Sequence, residues 1–406
     1  MSTNKHIALL TTWFAPQQSV ATNRMLAFAE FLSLTHEVEV FALMQEEKTI
    51  KWSDHVTVHY CSNGTITELL KDKQSDRFLL HLFKVGTRKL LNVFVKNPLG
   101  KWQKSTLAKL NKIHEEQPFD CIISSFSPEQ AHLIAIDFKK VFPHIPWIAD
   151  MRDEMSANPY LDAQTRSKLT EVEKDVNKYA DALTSVSEPI LSDFKLSMPQ
   201  IRYFEEIRNG FNHDYQRDKS ITEKNKVFTL GYFGTFYGKR KPHILMEALK
   251  QLSKEEPGFD FKFNIVGAHQ NYAVPPEISE KVKLYEPVNY HEAIQKMATF
   301  DANIQIHPKS KQKGIYTGKL FDYISVQKPV IGFVDVDDVA AQLIREFDCG
   351  YIADFSDLEA NKKMLLQAFI DWKQNKIKFA SDEQVQTLHR QKQVEKLNLL
   401  ILKLTQ

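Results

Sequence analysis

The stretch from His307 to Phe333, HPKSKQKGIYTGKLFDYISVQKPVIGF, decides how the second half of this sequence folds. The apolar run DANIQI before it is typical of a buried strand, and VIGF at its end predicts the next strand. Between them Thr317 is a candidate N-cap, and LFDYISV predicts a short helix that ends before Pro329. The backbone N–H groups at such a helix N-terminus bind phosphate, and Asp322 can accept hydrogen bonds from sugar hydroxyls. The alternative is an ordinary strand–loop–helix unit with a solvated basic loop.

Composition bounds the class of protein. A chain of 406 residues suits two domains, and 43% hydrophobic with 26% charged residues is typical of a globular protein. The net charge of +2 gives no reason to expect nucleic acid as a partner. Three widely spaced cysteines fit a reducing cytoplasm and exclude a disulfide framework. We find no signal peptide and no apolar window of the ~18 residues that a spanning helix needs, so we expect a cytoplasmic protein.

The order of apolar segments predicts an α/β fold. HIALLTT, RMLAFAEFLSL and HEVEVFALM read as strand, helix and strand, which form a βαβ unit of a parallel sheet. The same alternation restarts at VFTLGYF, after the polar stretch 216–226. We therefore predict an N-terminal domain over 1–206, a C-terminal domain over 207–385 and a final helix over 386–406.

Residues 66–115 interrupt the alternation and predict a basic amphipathic helical insertion. Eleven Lys or Arg and only two acidic residues lie between Lys71 and Lys112, interleaved with leucines and aromatic residues. Such a segment can lie on an anionic membrane surface, which would make the protein peripheral on the inner face of the plasma membrane. The alternative is that the apolar residues pack on the domain and the cations are solvated.

Charged residues follow a strand in the first domain. PWIAD predicts a strand, so Asp150, Arg152 and Asp153 come at or just beyond its carboxyl end, where open parallel sheets bind ligands. Two carboxylates that flank a guanidinium can orient a hydroxyl or a phosphate. The alternative is a salt bridge that fixes the loop. Arg24, just inside the first helix, is either a contact for an anionic group or a surface arginine.

A second basic loop, GTFYGKRKP over 234–242, opens the C-terminal domain. Its glycines let the backbone approach a ligand closely, and Lys239, Arg240 and Lys241 supply cations that can hold a diphosphate. A basic loop in solvent is the alternative. The acidic pair Asp335 and Asp337 reads as a surface turn, and no acidic cluster in a suitable loop predicts a metal site.

The segments GIYTGKLFDYISVQKPVI, IADMRDEMSANPY, IRNGFNHDY and GTFYGKRKP together resemble retaining, family 4-type glycosyltransferases of the GT-B fold. The resemblance spans nearly the whole chain except about residues 66–115. It implies two Rossmann-like domains that face each other across a cleft, with the C-terminal helix crossing back to the N-terminal domain. It also implies a nucleotide-diphosphate sugar as donor substrate, with no cofactor and no metal.

The resemblance assigns roles to particular residues. Asp150 and Asp153 would orient the acceptor, and Arg240 would neutralise the leaving diphosphate. The donor would be bound by Gly234, Thr235, Lys239, Arg240, Gly267, Val288, Tyr316, Thr317, Gly318, Lys319 and Asp322.

Two departures from the family's pattern bear on activity. Many relatives carry an acid eight positions before the residue that matches Asp322, and here Gly314 stands there. Ser19 and Val20 replace the usual Gly-Gly pair of the first loop. We predict a retaining glycosyltransferase of polysaccharide or glycolipid assembly, with a glycan or lipid-linked acceptor. The alternatives are a nucleotide-sugar 2-epimerase and a non-enzymatic GT-B-like membrane-surface or scaffolding subunit.

Overall fold

The computed structural model describes residues 4–64, 97–217, 224–267 and 272–406. It divides into two units, the first made of Met1–Ile207 with Val394–Gln406 and the second of Arg208–Gln393. Most of the predicted membrane-surface segment, residues 65–96, lies outside the described residues, whereas its end belongs to the helix Gly100–Glu116. Within the described ranges, no helix combines the length and apolar character needed to cross a membrane.

The first unit is built on one sheet, to which the described residues contribute eight strands. The strand order is β3-β4-β2-β1-β5-β6-β7-β8, and all pairs are parallel except the antiparallel pair β3–β4. In chain order the elements are β1 (His6–Thr11), α1 (Val20–Leu32), β2 (Glu37–Met44), β3 (Lys48–Ser53), β4 (Val56–Ser62), α2 (Gly100–Glu116), β5 (Cys121–Phe126), α3 (Gln130–Val141), β6 (Trp147–Met151), α4 (Ala163–Tyr179), β7 (Ala182–Ser185), α5 (Glu188–Ser197) and β8 (Tyr203–Glu206).

The central strands are buried because their sequences are apolar on both faces. All residues of β1, β5, β6 and β7 are buried, as expected of parallel strands covered by helices on either side. The last helix, α12 (Arg390–Leu404), adds Val394, Leu397 and Ile401 to the core that contains Ile7 and Leu9. The end of the chain therefore packs within the first unit.

The second unit carries a six-stranded, fully parallel sheet in the order β11-β10-β9-β12-β13-β14, counted over the residues that the structure describes. The predicted α/β class, with a parallel sheet in each of two domains, is confirmed. In chain order its elements are β9 (Phe228–Phe233), α6 (His243–Glu255), β10 (Phe261–Val266), β11 (Val282–Tyr285), α7 (Tyr290–Thr299), β12 (Ala302–His307), α8 (Gly318–Ser325), β13 (Val330–Val334), α9 (Val339–Glu346), β14 (Gly350–Asp354), α10 (Leu358–Lys373) and α11 (Asp382–Thr387).

The hairpin that follows β2 in the first sheet was not among the predictions. The strands β3 and β4 form an antiparallel hairpin after β2, and β3 is almost entirely exposed at the sheet edge. The sequence KTIKWS is polar at most positions, so its apolar pattern is too weak to mark a strand. Pairing with β4, and not burial, is what makes this segment extended.

Candidate functional site

Three strands of the second unit end side by side at the carboxyl edge of its sheet. Gly234 follows β9 and Gly267 follows β10, and both have left-handed backbone conformations, with φ of +91° and +86°. The amide of Gly234 donates to the carbonyl of Val266 at 2.8 Å, which holds the two loops together. A Cβ atom on Gly234 would lie 2.8 Å from the Lys319 Nζ atom, so glycine makes room for that ammonium group.

Lys319, in the first turn of α8, brings a cation to this edge. Its ammonium donates to the Tyr232 hydroxyl at 3.3 Å and lies 4.6 Å from the centre of the Tyr232 ring. Burial, together with the nearby charge of Arg240, lowers the pKa of Lys319 to about 8. Among the described residues no carboxylate lies within 4 Å of this ammonium group, so its charge is available to an anion.

Arg240 is the second cation of the edge. A tight turn with Gly238 at φ +54° brings the Arg240 amide to the Tyr237 carbonyl at 2.9 Å. The guanidinium donates to the Tyr237 hydroxyl and lies 5.2 Å from the centre of that ring. Its charge acts on both Lys319 and His307, so these three side chains share one electrostatic environment. The neighbouring Lys239, also predicted to bind the donor, is exposed.

The N-terminus of α8 is left open by its own capping residue. Thr317 occupies the N-cap position but makes no side-chain hydrogen bond to the helix. Its hydroxyl is engaged instead with the Gln305 side-chain amide, at 3.0 Å. A Cβ atom on Gly318 would meet nothing within 4 Å, so the first turn faces open space. Backbone N–H groups in this position favour an anion.

The loop before α8 is held by acidic residues. Lys313 forms an ion pair with Asp335, and the amide of Gly314 donates to the Asp338 carboxylate at 2.8 Å. Asp335 is buried, so the interpretation of Asp335 and Asp337 as a surface turn was wrong for Asp335. The reason is that Asp335 holds the basic loop by its Lys313 partner. The charge of Lys313 is therefore compensated by Asp335, whereas Lys319 has no carboxylate partner among the described residues.

Asp322 lies one turn further along α8. One of its oxygens accepts a hydrogen bond of 2.7 Å from the Tyr290 hydroxyl, and no donor among the described residues reaches the other oxygen. Burial raises the pKa of Asp322 to about 6. The carboxylate thus has one fixed and one available oxygen, which suits the predicted contact with a ribose hydroxyl. Tyr290 was not predicted.

His307 is a further residue that the sequence analysis did not select. It ends β12, is only 6% exposed, and its Nδ1 atom has no hydrogen-bond partner among the described residues. Burial and the nearby Arg240 lower its pKa to about 4, so the ring is neutral at physiological pH. The available signal was its place at the carboxyl end of a strand, since a single histidine carries little information by its type.

Of the remaining predicted donor residues, Thr235 is joined to this cluster through Tyr232, whereas Val288 and Tyr316 have other described contacts. Thr235 is exposed, and its carbonyl accepts the Tyr232 hydroxyl at 3.2 Å. Val288 packs at the margin of the core near α8. Tyr316 lies under the Arg208 guanidinium, 5.7 Å from the centre of the ring.

In the first unit the structure corrects the predicted role of Asp150. Its carboxylate is fully buried and receives two hydrogen bonds from the Arg24 guanidinium, at 2.7 and 3.1 Å. The hydroxyls of Ser125 and Thr184 each donate to it at 2.8 Å. Burial raises the pKa of Asp150, but the Arg24 charge and these bonds outweigh it and hold the pKa below its usual value. Each oxygen has two protein donors, so Asp150 is an internal structural group and cannot orient an acceptor.

The same bonds settle the position of Arg24. It is neither a surface arginine nor a free contact for an anion, because its guanidinium is buried against Asp150 and also donates to the Ile207 carbonyl at 2.7 Å. A buried ion pair of this kind is satisfied within the protein.

Asp153, two residues after β6, behaves differently from Asp150. It is half-buried, and none of the described residues donates a hydrogen bond to it. Burial raises its pKa above the usual range, despite the opposing charge of Arg152. Arg152 itself uses its guanidinium on the carbonyls of Phe126 and Ser127. Asp153 therefore keeps the capacity to bind a hydroxyl.

Comparison with known proteins gives a clear result for structure and none for sequence. Neither a protein-family model nor a curated protein matches the chain. A sucrose-phosphate synthase from Thermosynechococcus elongatus superposes with a TM-score of 0.67 at 13% identity, over 98% of this chain and 99% of that one. The lipopolysaccharide outer core galactosyltransferase WaaB gives a TM-score of 0.59 at 13% identity, over 98% and 99% of the two chains. The chain has the GT-B fold of these glycosyltransferases.

A third GT-B structure contains a ligand. It is a trehalose-6-phosphate protein from E. coli bound with UDP-2-fluoro glucose, with a TM-score of 0.55 at 11% identity over 98% of this chain and 97% of that one. At such identities the likeness establishes the GT-B fold, and the chemistry has to be argued from the side chains of this chain.

Proposed function

We propose that this GT-B protein is a glycosyltransferase that moves a sugar from a nucleotide-diphosphate sugar to a hydroxyl acceptor, with retention of configuration at the sugar. The observation that carries the proposal is the environment of the Lys319 ammonium group. A half-buried ammonium group with no carboxylate partner among the described residues is unfavourable unless it serves a ligand. It lies at the open N-terminus of α8, within the field of Arg240.

The chemistry follows from where the charges lie. As the bond between the sugar's anomeric carbon and the diphosphate oxygen breaks, its electron pair stays on that oxygen and negative charge grows on the diphosphate. Lys319, Arg240 and the first backbone amides of α8 stabilise this charge. They take the role that a divalent metal has in other transferases. The acceptor oxygen then forms the new bond to the anomeric carbon, and its proton passes to the diphosphate oxygen that leaves. Asp153 accepts a hydrogen bond from the acceptor hydroxyl.

Asp322 contributes to binding and not to bond cleavage in this proposal. Its available oxygen accepts a ribose hydroxyl, while Tyr290 holds the other oxygen. The solved relatives support a nucleotide donor, because one of them holds UDP-2-fluoro glucose and another is a galactosyltransferase. We place the reaction in polysaccharide or glycolipid assembly at the cytoplasmic side of a membrane, with a glycan or lipid-linked acceptor.

A ligand screen tests the proposal directly. Thermal unfolding of the purified protein is followed with UDP-, GDP- and ADP-sugars, since a ligand that binds only the folded state raises the melting temperature. The best donor is then titrated by calorimetry into the wild type, Lys319→Ala and Lys313→Ala. We expect Lys319→Ala to bind at least about 30-fold more weakly, because it removes a charge-assisted contact of roughly 2 kcal/mol.

Lys313→Ala is the matched control, since that lysine belongs to the same loop but is already paired with Asp335. It should change the affinity by less than about threefold. Equal losses in the two variants, or no response to any nucleotide sugar, would remove the donor site and favour a scaffolding role. Interconversion of donor sugars without an acceptor would favour a 2-epimerase.

A further inference from the structure

We propose that Trp13 and Asp153 form a carbohydrate-binding site on the first unit, which takes one pyranose ring of a glycan acceptor. This inference rests on the proposed transferase function and names the chemical class of the acceptor. All residues that carry it belong to the first unit.

Trp13 is a fixed indole ring with an exposed surface. It follows β1 and is 38% exposed. Its backbone amide donates to the Thr11 hydroxyl at 3.0 Å, and its indole N–H donates to the Ser127 carbonyl at 2.7 Å. No other aromatic ring of the described residues stacks on it. The ring is thus held by its N–H edge, and part of its surface remains exposed.

A shared acceptor links the Trp13 ring to the loop that carries Asp153. The Ser127 carbonyl that receives the Trp13 indole N–H also receives the Arg152 guanidinium, at 3.1 Å. Arg152 and Asp153 are adjacent in the chain, so one carbonyl ties the indole to the loop that carries the carboxylate. The first unit therefore links an exposed indole ring to a loop with a half-buried carboxylate that has no hydrogen-bond donor among the described residues.

The loop that carries Asp153 is braced from α4. Glu173 accepts hydrogen bonds from the amide and the hydroxyl of Ser156. Arg166 donates to the carbonyls of Ser156 and Asn158. Four bonds from two side chains of one helix fix the residues that follow Asp153. A loop held in this way needs little ordering when a ligand binds, which favours binding.

The chemistry of this pair matches a sugar ring better than other ligands. A pyranose has an apolar C–H face that packs on an aromatic ring and hydroxyl groups at its edge that donate to a carboxylate. A phosphate would be repelled by Asp153, and two of the five Arg152 N–H donors already bind carbonyls. A hydrocarbon chain would leave the carboxylate without a donor. A neutral or weakly polar glycan ring satisfies both groups.

Saccharide binding without any donor tests the inference. Saturation-transfer NMR on the full chain is run with methyl glycosides of glucose, galactose, mannose and N-acetylglucosamine and with lactose, for the wild type, Trp13→Ala, Trp13→Phe and Asp153→Asn. We expect at least one of these sugars to bind the wild type at millimolar concentration. Trp13→Ala should weaken it about tenfold, whereas Trp13→Phe should retain it within about threefold because a ring face remains.

Trp52→Ala is the matched control, because Trp52 is another exposed tryptophan of the first unit, 46% exposed, on the edge strand β3. It should leave saccharide binding unchanged. Equal binding by Trp13→Ala and the wild type overturns the inference, as does the absence of saccharide binding by a wild type that binds a nucleotide sugar. Saccharide binding through Trp13 in a protein that binds no nucleotide sugar would instead leave a carbohydrate-binding site and remove the transferase. Melting temperatures of all variants establish that they are folded.

Discussion

The two units place charged side chains at the carboxyl ends of their sheets but satisfy them in opposite ways. In the first unit Arg24 and Asp150 pair with each other, and two hydroxyls complete the carboxylate's hydrogen bonds. In the second unit Lys319 and Arg240 have only tyrosine hydroxyls as described side-chain partners. The first arrangement is complete without a ligand, whereas the second gains from an anion.

This difference distinguishes charged residues that stabilise the fold from charged residues that bind a ligand. A buried ion pair with full hydrogen bonding is lost only at a large cost in stability. A half-buried cation without a carboxylate adds little to stability and is retained for binding. The two kinds of residue should therefore respond differently to substitution, one in the free energy of unfolding and the other in activity.

The largest expected effect is on stability. Asp150→Ala leaves the Arg24 guanidinium buried without its carboxylate and should lower the free energy of unfolding by about 3–5 kcal/mol. Urea or thermal unfolding measures it. Asp153→Ala is the control in the next loop, since that carboxylate has no described donor, and it should cost less than about 1 kcal/mol. An Asp150→Ala variant as stable as the wild type would show that the ion pair with Arg24 does not stabilise the first unit.

The second largest expected effect is a loss of turnover on substitution of Arg240. Arg240→Ala removes a cation from the charge that develops on the leaving diphosphate and should lower turnover about 100-fold with little change in melting temperature. Lys241→Ala is its control, because Lys241 is an exposed lysine of the same loop, and it should stay within about twofold of the wild type. Unchanged turnover in a folded Arg240→Ala variant would remove this arginine from the site.

The smallest expected effect is a gain in stability on substitution of Asp322, whereas substitution of Asp150 reduces stability. The pKa of Asp322 is raised from 3.8 to about 6 in the folded protein, so folding favours the protonated form. The ionised carboxylate therefore reduces stability as pH rises from about 4 to 6. Asp322→Asn should be more stable than the wild type by about 2 kcal/mol at pH 8, with no gain below about pH 4.

The same variant should bind the nucleotide sugar more weakly, because an amide offers one acceptor oxygen where the carboxylate offers two. Unfolding curves across this pH range and calorimetry at pH 8 measure the two changes. A variant that is no more stable at pH 8 than at pH 4, relative to the wild type, would contradict the burial of this carboxylate.

Much of the fold could be predicted from periodicity, because strands such as β1 and β6 are continuous apolar runs and α8 has a clear start and end. The exposed strand β3 could not, because it depends on its pairing with β4. The roles of the site residues were harder to predict from the sequence than the fold. The sequence does not distinguish Asp150 from Asp153. The donors that make Asp150 a structural group come from Arg24, 126 residues away, and from other strands of the sheet. The contact between Lys319 and Gly234 likewise depends on two distant segments meeting at one sheet edge.

The space left by Gly234, an uncharged residue, determines where the charge of Lys319 lies. A single methyl group there would lie within 2.8 Å of the Lys319 Nζ atom, and the φ of +91° already disfavours any other residue. Substitution at this position would displace the ammonium group without removing it. The electrostatic potential at the sheet edge is thus set in part by the absence of a side chain, and a comparison of charged residues alone would overlook the residue that tunes it.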